Sequence, residues 1–188
     1  MFDDLTKQIE QLLANKPHVV VAISGFAGAG KSTLADKLRD YFQITDGQVL
    51  RLDNLYATEP RGSGLFDDYD WPLVVRILQD VQAGKRLQYQ SRGFEGDSYS
   101  FDEALPKVVI LEGIRLFRPE LMIYFDVSVW VDCPPELALQ RAKARDLKQH
   151  KDEQYMKRWD TEWGPKNLEY FDTYHPDKLA TFSYEEYQ

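Results

Sequence analysis

Gly25-Phe26-Ala27-Gly28-Ala29-Gly30-Lys31-Ser32 places glycine at its first and sixth positions, then a lysine, then a hydroxyl residue, with Thr33 following. That spacing suits one task, holding a chain of phosphates. Glycines let successive backbone N–H groups turn inward around phosphate oxygens, and a helix opening at the lysine adds partial positive charge. Lys31 would reach the β- and γ-phosphates, and the Ser32 hydroxyl would ligate magnesium. A chance Gly-rich turn is the competing reading. It is disfavoured because the run lies between a predicted strand and a predicted helix.

Two carboxylates end predicted strands. Val108-Val109-Ile110-Leu111-Glu112-Gly113 is apolar up to Glu112, the place where an acid would hold the hydration shell of a magnesium ion. Asp53, in Leu52-Asp53-Asn54-Leu55-Tyr56, ends another strand. Neighbouring strand ends in a parallel sheet face one crevice, so Asp53 could meet the γ-phosphate, an incoming hydroxyl or the metal. A turn or helix-cap aspartate would look the same. Arg141 and Arg145 are four residues apart, hence on one helix face. They could close over a transferring phosphate as a lid, or they could belong to an ion-paired surface.

Other reactive residue types read as structural. Cys133 suits a small buried filler. His18, His150 and His175 are scattered and lack metal-ligand spacing. Trp159, Trp163, Tyr170, Phe171 and Tyr174 read as core rather than as a platform for a base.

The elements that must position these groups follow from periodicity. Phe2, Leu5, Ile9, Leu12 and Leu13 recur at helical spacing, stopped by Asn15-Lys16-Pro17. His18 to Ser24 is β-branched and apolar without alternation, as in a strand buried on both faces. A helix follows the glycines through Leu34, Leu38 and Tyr41. Gln48 to Leu52, Lys107 to Leu111 and Val127 to Val131 read as strands, and Trp71 to Gln82 as a helix. Another helix opens at Pro134-Pro135 and runs to about Lys148. Strands alternating with helices predict a doubly wound α/β layer with ligands at the strand C-termini. Residues 85–101 read as a hairpin or flap, and 149–180 as mainly helical cover for one edge.

Composition narrows the function further. A formal net charge of -8 with no block of basic residues argues against nucleic acid held along its backbone. One cysteine permits no intrachain disulfide. The acidic start Met1-Phe2-Asp3-Asp4 does not read as a targeting segment, and apolar runs such as Val19 to Ile23 are too short for a bilayer, so a cytoplasmic protein without a membrane partner is expected. The sequence leaves open whether the chain forms a homo-oligomer.

In order, the segments GFAGAGKST, LDNLY, FDDYDWP, VVILEGI, RPEL and the R-x-x-x-R-D of Arg141 to Asp146 resemble the uridine kinase-like family of P-loop kinases. That family also takes in phosphoribulokinase, pantothenate kinase and nicotinamide riboside kinase. The resemblance runs from His18 to about Ala180, and bacterial uridine kinases are similar in the RPEL and R-A-x-A-R-D wording. It implies one domain over residues 1–188, a three-layer P-loop kinase sandwich with a mainly parallel sheet, the 85–101 flap and a helical lid over 141–155. It implies ATP and magnesium, with Asp53 as general base, Ser32 and Glu112 serving the metal, and Arg141 with Arg145 as the lid. Tyr56 would line the substrate pocket, Asp67 or Asp70 would hold ribose-type hydroxyls, and Arg92 in the flap is a further substrate contact.

The sequence departs from the family at substrate-reading positions. The acidic segment lacks the histidine of F-D-H-P and does not single out Asp67, Asp68 or Asp70. The flap QYQSRGFEGDSYS lacks P-x-Y-D, and Ala180-Thr181 stands where A-D is usual. The implied activity is therefore transfer of a γ-phosphoryl group to a hydroxyl of a small molecule. A nucleoside such as uridine or cytidine comes first, then nicotinamide riboside, pantothenate or a sugar acid. A hydrolytic switch is the reading from another class. A switch needs neither Asp53 nor the arginine pair, and Asn15-Lys16-Pro17-His18 lacks the aspartate of a guanine-reading motif.

Overall fold

The computed structural model describes residues 1–59 and 62–185. Three strands form its centre: β1 (Val19–Ser24), β5 (Val108–Glu112) and β6 (Val127–Asp132). Every residue of β1 and β5 is buried, which is why both read as unbroken apolar runs rather than as alternation. β2 (Val49–Arg51) flanks β5, and β7 (Phe182–Glu185) flanks β6. All pairs are parallel, in the order β2-β5-β1-β6-β7. Register sets Glu112 opposite both Ile23 and Arg51, so the C-terminal ends of β1, β2 and β5 open on one crevice.

β2 stops earlier than its pattern predicts. Residues Leu52–Asn54 close a 3-10 turn, with Leu55 N–H donating to the Leu52 carbonyl at 2.8 Å. Asp53 thus sits on a turn just past the strand end. β7 was not expected, because a four-residue edge strand with every second residue exposed carries no apolar run. Thr181 fixes its entry: its backbone N–H donates to Ser128 Oγ at 2.9 Å, and its Oγ1 accepts from the Ser128 backbone N–H at 3.0 Å. The threonine that departs from the family wording therefore anchors an edge strand.

The helices bury the faces their spacing predicts. α1 (Phe2–Leu13) buries Leu5 and Ile9, and α2 (Lys31–Phe42) buries Leu34, Ala35 and Leu38. α3 (Trp71–Gln82) buries Val74, Ile77, Leu78 and Val81, an i, i+3, i+4, i+7 stripe. The predicted flap is a separate antiparallel hairpin of β3 (Leu87–Arg92) and β4 (Ser98–Glu103). Its Tyr89 and Phe101 rings stack with centroids 4.6 Å apart. Short α4 (Pro119–Met122) precedes β6, and α5 (Pro135–Lys148) follows it. The chain then returns through α6 (Glu153–Arg158), one π-helical turn at Trp159–Trp163, α7 (Gly164–Tyr174) and short α8 (Pro176–Leu179). The Tyr170 hydroxyl ties α7 down, accepting from Phe117 N–H at 2.9 Å and donating to its carbonyl at 2.8 Å.

Candidate active site

The loop between β1 and α2 needs its glycines. Gly28 and Gly30 have φ of +86° and +107°, the left-handed region where a side chain is strained. A Cβ on Gly28 would also lie 2.2 Å from the Ala138 carbonyl oxygen and 2.8 Å from the Ala142 nitrogen. The loop is thus seated directly on the backbone of α5. Lys31 opens α2 with its side chain buried, and its Nζ donates to the Phe26 carbonyl at 2.9 Å. Burial pushes its pKa down, while the charges of Glu112 and Asp53 oppose that.

Glu112 is 4% exposed, and burial pushes its carboxyl up against the pull of Lys31. Ser32 Oγ donates to its Oε1 at 3.2 Å, and Arg51 Nη1 reaches the same oxygen at 3.5 Å. Arg51 is itself held by Asp36 at 2.8 Å and Asp46 at 2.9 Å, so the acid is oriented from behind by an anchored cation. Among the described residues no cluster of three or more His, Cys, Asp or Glu side chains could hold a metal alone. Ser32 and Glu112 instead offer two hard oxygen donors close together. That fits magnesium, which takes its remaining ligands from water and phosphate.

Lys31, Ser32, Thr33 and Glu112 line one end of a cavity of about 420 Å³, with Ala27, Gly28 and Gly30 of the loop. Asp53, Tyr56, Arg141 and Arg145 line the same cavity. Tyr56 packs on Tyr69 with ring centroids 4.6 Å apart and hydroxyls at 3.3 Å. Burial, then the Asp53 charge, raises the Tyr56 hydroxyl well above its ordinary pKa. Arg145 Nε donates to Asp146 Oδ1 at 2.8 Å, and Arg141 Nη1 lies 3.9 Å from Cys133 Sγ. Both arginines line the cavity, and one of the two is also ion-paired.

Three expected substrate contacts lie elsewhere. Asp67 accepts from Gly64 N–H at 2.8 Å and shapes the preceding turn. Asp70 caps α3, accepting from Leu73 N–H at 3.1 Å. Arg92 donates to the Thr58 carbonyl at 3.2 Å and holds the turn end of the hairpin. In each case a nearby backbone group takes the polar side chain. The carboxylate of that segment which lines the cavity is Asp68, and the flap residue is Phe94.

The correction at Asp70 is testable. Asp70→Ala should lower stability by about 1 kcal/mol, the usual loss for an N-cap, and leave the acceptor KM unchanged. Denaturant unfolding and steady-state kinetics read the two effects. A tenfold or larger rise in acceptor KM, well beyond what a cap loss explains, would return Asp70 to the site.

Sequence reasoning missed Arg115. It is 2% exposed, sits at φ +61°, and donates from Nη1 to the Leu65 carbonyl at 2.6 Å and to Asp68 Oδ2 at 3.4 Å. Its buried Nε has no hydrogen-bond partner among the described residues. Its backbone is in the left-handed region and its buried guanidinium is incompletely paired at the cavity wall, features that cluster at functional sites. The available signal was a lone arginine inside the apolar run Ile114-Arg115-Leu116-Phe117.

The late aromatics divide. Tyr170 is buried and packs with Phe171 and Tyr174 in and against the core, as expected. Trp159 and Trp163 instead line the cavity from the π-turn. Phe94 lies 6.0 Å from Trp163 and 6.1 Å from Tyr155, Arg158 stands 4.2 Å over the Trp163 ring, and Lys151 pairs with Glu95. Flap and lid therefore meet over the cavity.

Comparison with known proteins agrees with this geometry. A family model described as an AAA domain matches residues 21–160. Uridine kinases of Bacillus cereus (strain AH187) and Bacillus anthracis (strain CDC 684 / NRRL 3495) are each 30% identical, with 72% of this chain and 69% of the relative covered. A proposed fructose transport system kinase from Silicibacter sp. TM1040 superposes with a TM-score of 0.76 at 20% identity, covering 98% of both chains. A candidate uridine kinase from Bacillus stearothermophilus gives 0.64 at 18% identity, covering 96% of this chain and 99% of that one. The two structures show the shared fold, a five-stranded parallel sheet with the phosphate loop after β1. With its sequence relatives and its phosphate loop, this chain belongs to the uridine kinase-like family of P-loop kinases.

Proposed function

We propose that the chain transfers the γ-phosphoryl group of ATP, with magnesium, to a hydroxyl of a small metabolite, a nucleoside such as uridine or cytidine first. One observation carries this reading: Asp53, Lys31, Arg141 and Arg145 converge on a single cavity of about 420 Å³. A switch that hands the phosphoryl group to water needs neither the carboxylate nor the arginine pair.

Each residue has a part that its position supports. Asp53 takes the proton of the acceptor hydroxyl as that oxygen bonds phosphorus and the bond to the ADP oxygen breaks. Lys31 leaves the Phe26 carbonyl and offsets charge on the β- and γ-phosphate oxygens. Arg141 and Arg145 add positive charge from the lid side, where it counts most in the transition state. Ser32 and Glu112 hold magnesium, which when bound neutralises phosphate charge. Tyr56, Phe94 and Trp163 are aromatic lining residues against which a planar base could pack. Asp68 and Arg115 stand as an acceptor–donor pair for acceptor oxygens.

ADP release measured with uridine, cytidine, nicotinamide riboside, pantothenate and a sugar acid tests the reading. Release that depends strongly on one acceptor is the expected result. Steady ATP hydrolysis indifferent to all of them would favour the switch.

A further inference from the structure

Asp146 follows Arg145 on α5 but lies on the buried side with Ala138 and Ala142, and it is 1% exposed. Its two oxygens serve different partners: Oδ1 accepts from Arg145 Nε at 2.8 Å, and Oδ2 accepts from Trp159 Nε1 at 2.8 Å. Its carbonyl accepts from the Gln149 and Lys151 backbone N–H groups at 3.1 and 3.2 Å, which fixes the bend out of α5. A carboxylate taken out of water is strongly destabilising unless both oxygens are occupied. Here one guanidinium and one indole occupy them, and both partners line the cavity.

The arrangement answers a problem of placement. The Arg145 side chain is 54% exposed, and an arginine carries about 2 kcal/mol of rotamer entropy, so an untethered one would spend little time over the cavity. The other partner sits on the π-turn Trp159–Trp163, a local irregularity of the kind often found at functional sites. Whatever presses on the Trp159 ring from the cavity also presses on the carboxylate that holds Arg145.

We propose that Asp146 is the positioning residue of the lid, fixing Arg145 toward the transferring phosphoryl group and linking its placement to Trp159. This rests on the role of Arg145 proposed above. Asparagine cannot replace the aspartate, because its single carbonyl oxygen can keep one partner only while its NH₂ faces the other donor.

A double-mutant cycle tests the link. ADP release from ATP with magnesium is measured with uridine as acceptor and also without it, for wild type, Asp146→Asn, Arg145→Ala and the double variant. Asp146→Asn should lower turnover on the order of ten- to a hundredfold with the ATP KM little changed, as for a catalytic group misplaced by about 1 Å. In the Arg145→Ala background the same change should have no further effect on turnover. Trp159→Phe, which keeps the ring but not its N–H, supplies a second cycle should Asp146→Asn fail to fold. It should likewise slow turnover only while Arg145 is present.

Equal factors with and without Arg145 would overturn the proposal and leave the kinase reading intact. Wild-type turnover in Arg145→Ala would overturn the lid role itself and this proposal with it. Absence of uridine-dependent release from wild type would instead remove the nucleoside, and the cycle would then be read on hydrolysis.

Discussion

Lys31→Ala should lose phosphoryl transfer by on the order of 10³-fold or more, about 4 kcal/mol of transition-state stabilisation. The size follows from where the ammonium is kept. Its Nζ is buried, rests on the Phe26 carbonyl at 2.9 Å, and has the charges of Glu112 and Asp53 beside it. A cation held out of water by acids that oppose its deprotonation acts at full strength on a developing charge. Alanine also leaves the buried Glu112 without that cation, so some stability should be lost as well. Lys31→Met also removes the cation but keeps the apolar stem, so comparing the two variants separates lost packing from lost charge. Thermal unfolding and ADP release, measured on both variants, decide the matter. Near wild-type turnover in a folded Lys31→Met protein would sink the phosphate-loop reading.

Asp53→Asn should fold, bind ATP with magnesium within a few-fold of wild type, and lose at least about a hundredfold in turnover. Asparagine keeps the shape and one acceptor oxygen but cannot take a proton. The side chain stands exposed on the 3-10 turn after β2 and lines the cavity, so substitution disturbs no core packing. Its charge is felt by Lys31, Tyr56 and Arg145, which brackets it between the donor and acceptor ends of the cavity. Comparing nucleotide affinity with turnover reads the result. A loss below about tenfold with binding intact would make Asp53 a turn residue, and Asp68 would become the carboxylate to test next.

What the sequence made legible was whatever depends on local order. β1, β5 and β6 are buried on both faces and announce themselves as apolar runs, and the phosphate loop is contiguous. Glu112 and Asp53 could be placed because strand ends in a parallel sheet share a crevice. The acceptor end was not legible in the same way. Asp67, Asp68 and Asp70 are chemically equivalent in a line of text. A glycine N–H takes the first, the first turn of α3 takes the third, and folding leaves only the second at the cavity. Arg92 and Phe94 are two residues apart, and the bend of the hairpin decides which one faces inward. Arg115 left only a faint mark in the text, one charge inside an apolar run, and gained weight from its backbone conformation and its missing partner. β7 escaped because its alternation, Phe182-Ser183-Tyr184-Glu185, is only four residues long.

The β3–β4 hairpin shares no strand pairing with the five-stranded sheet. It is joined to the rest by Leu87 and Tyr89, which are buried in the common core, and by hydrogen bonds such as Gln48 Nε2 to the Ala104 carbonyl at 2.8 Å and Tyr56 N–H to the Arg92 carbonyl at 2.8 Å. The residues placed around the phosphates come from the five-stranded sheet and from α2 and α5: the loop after β1, Lys31 and Ser32 of α2, Asp53 after β2, Glu112 of β5, and Arg141 and Arg145 of α5. The molecule is therefore divided like a tool with a fixed handle and an exchangeable head. On the function proposed above, change in the hairpin would reach the acceptor end of the cavity before it reached the phosphate loop. For an engineer the same division marks where to graft: residues 93–97 between the two strands can be swapped or randomised as a cassette, with nucleotide binding as the control that the handle has been left alone.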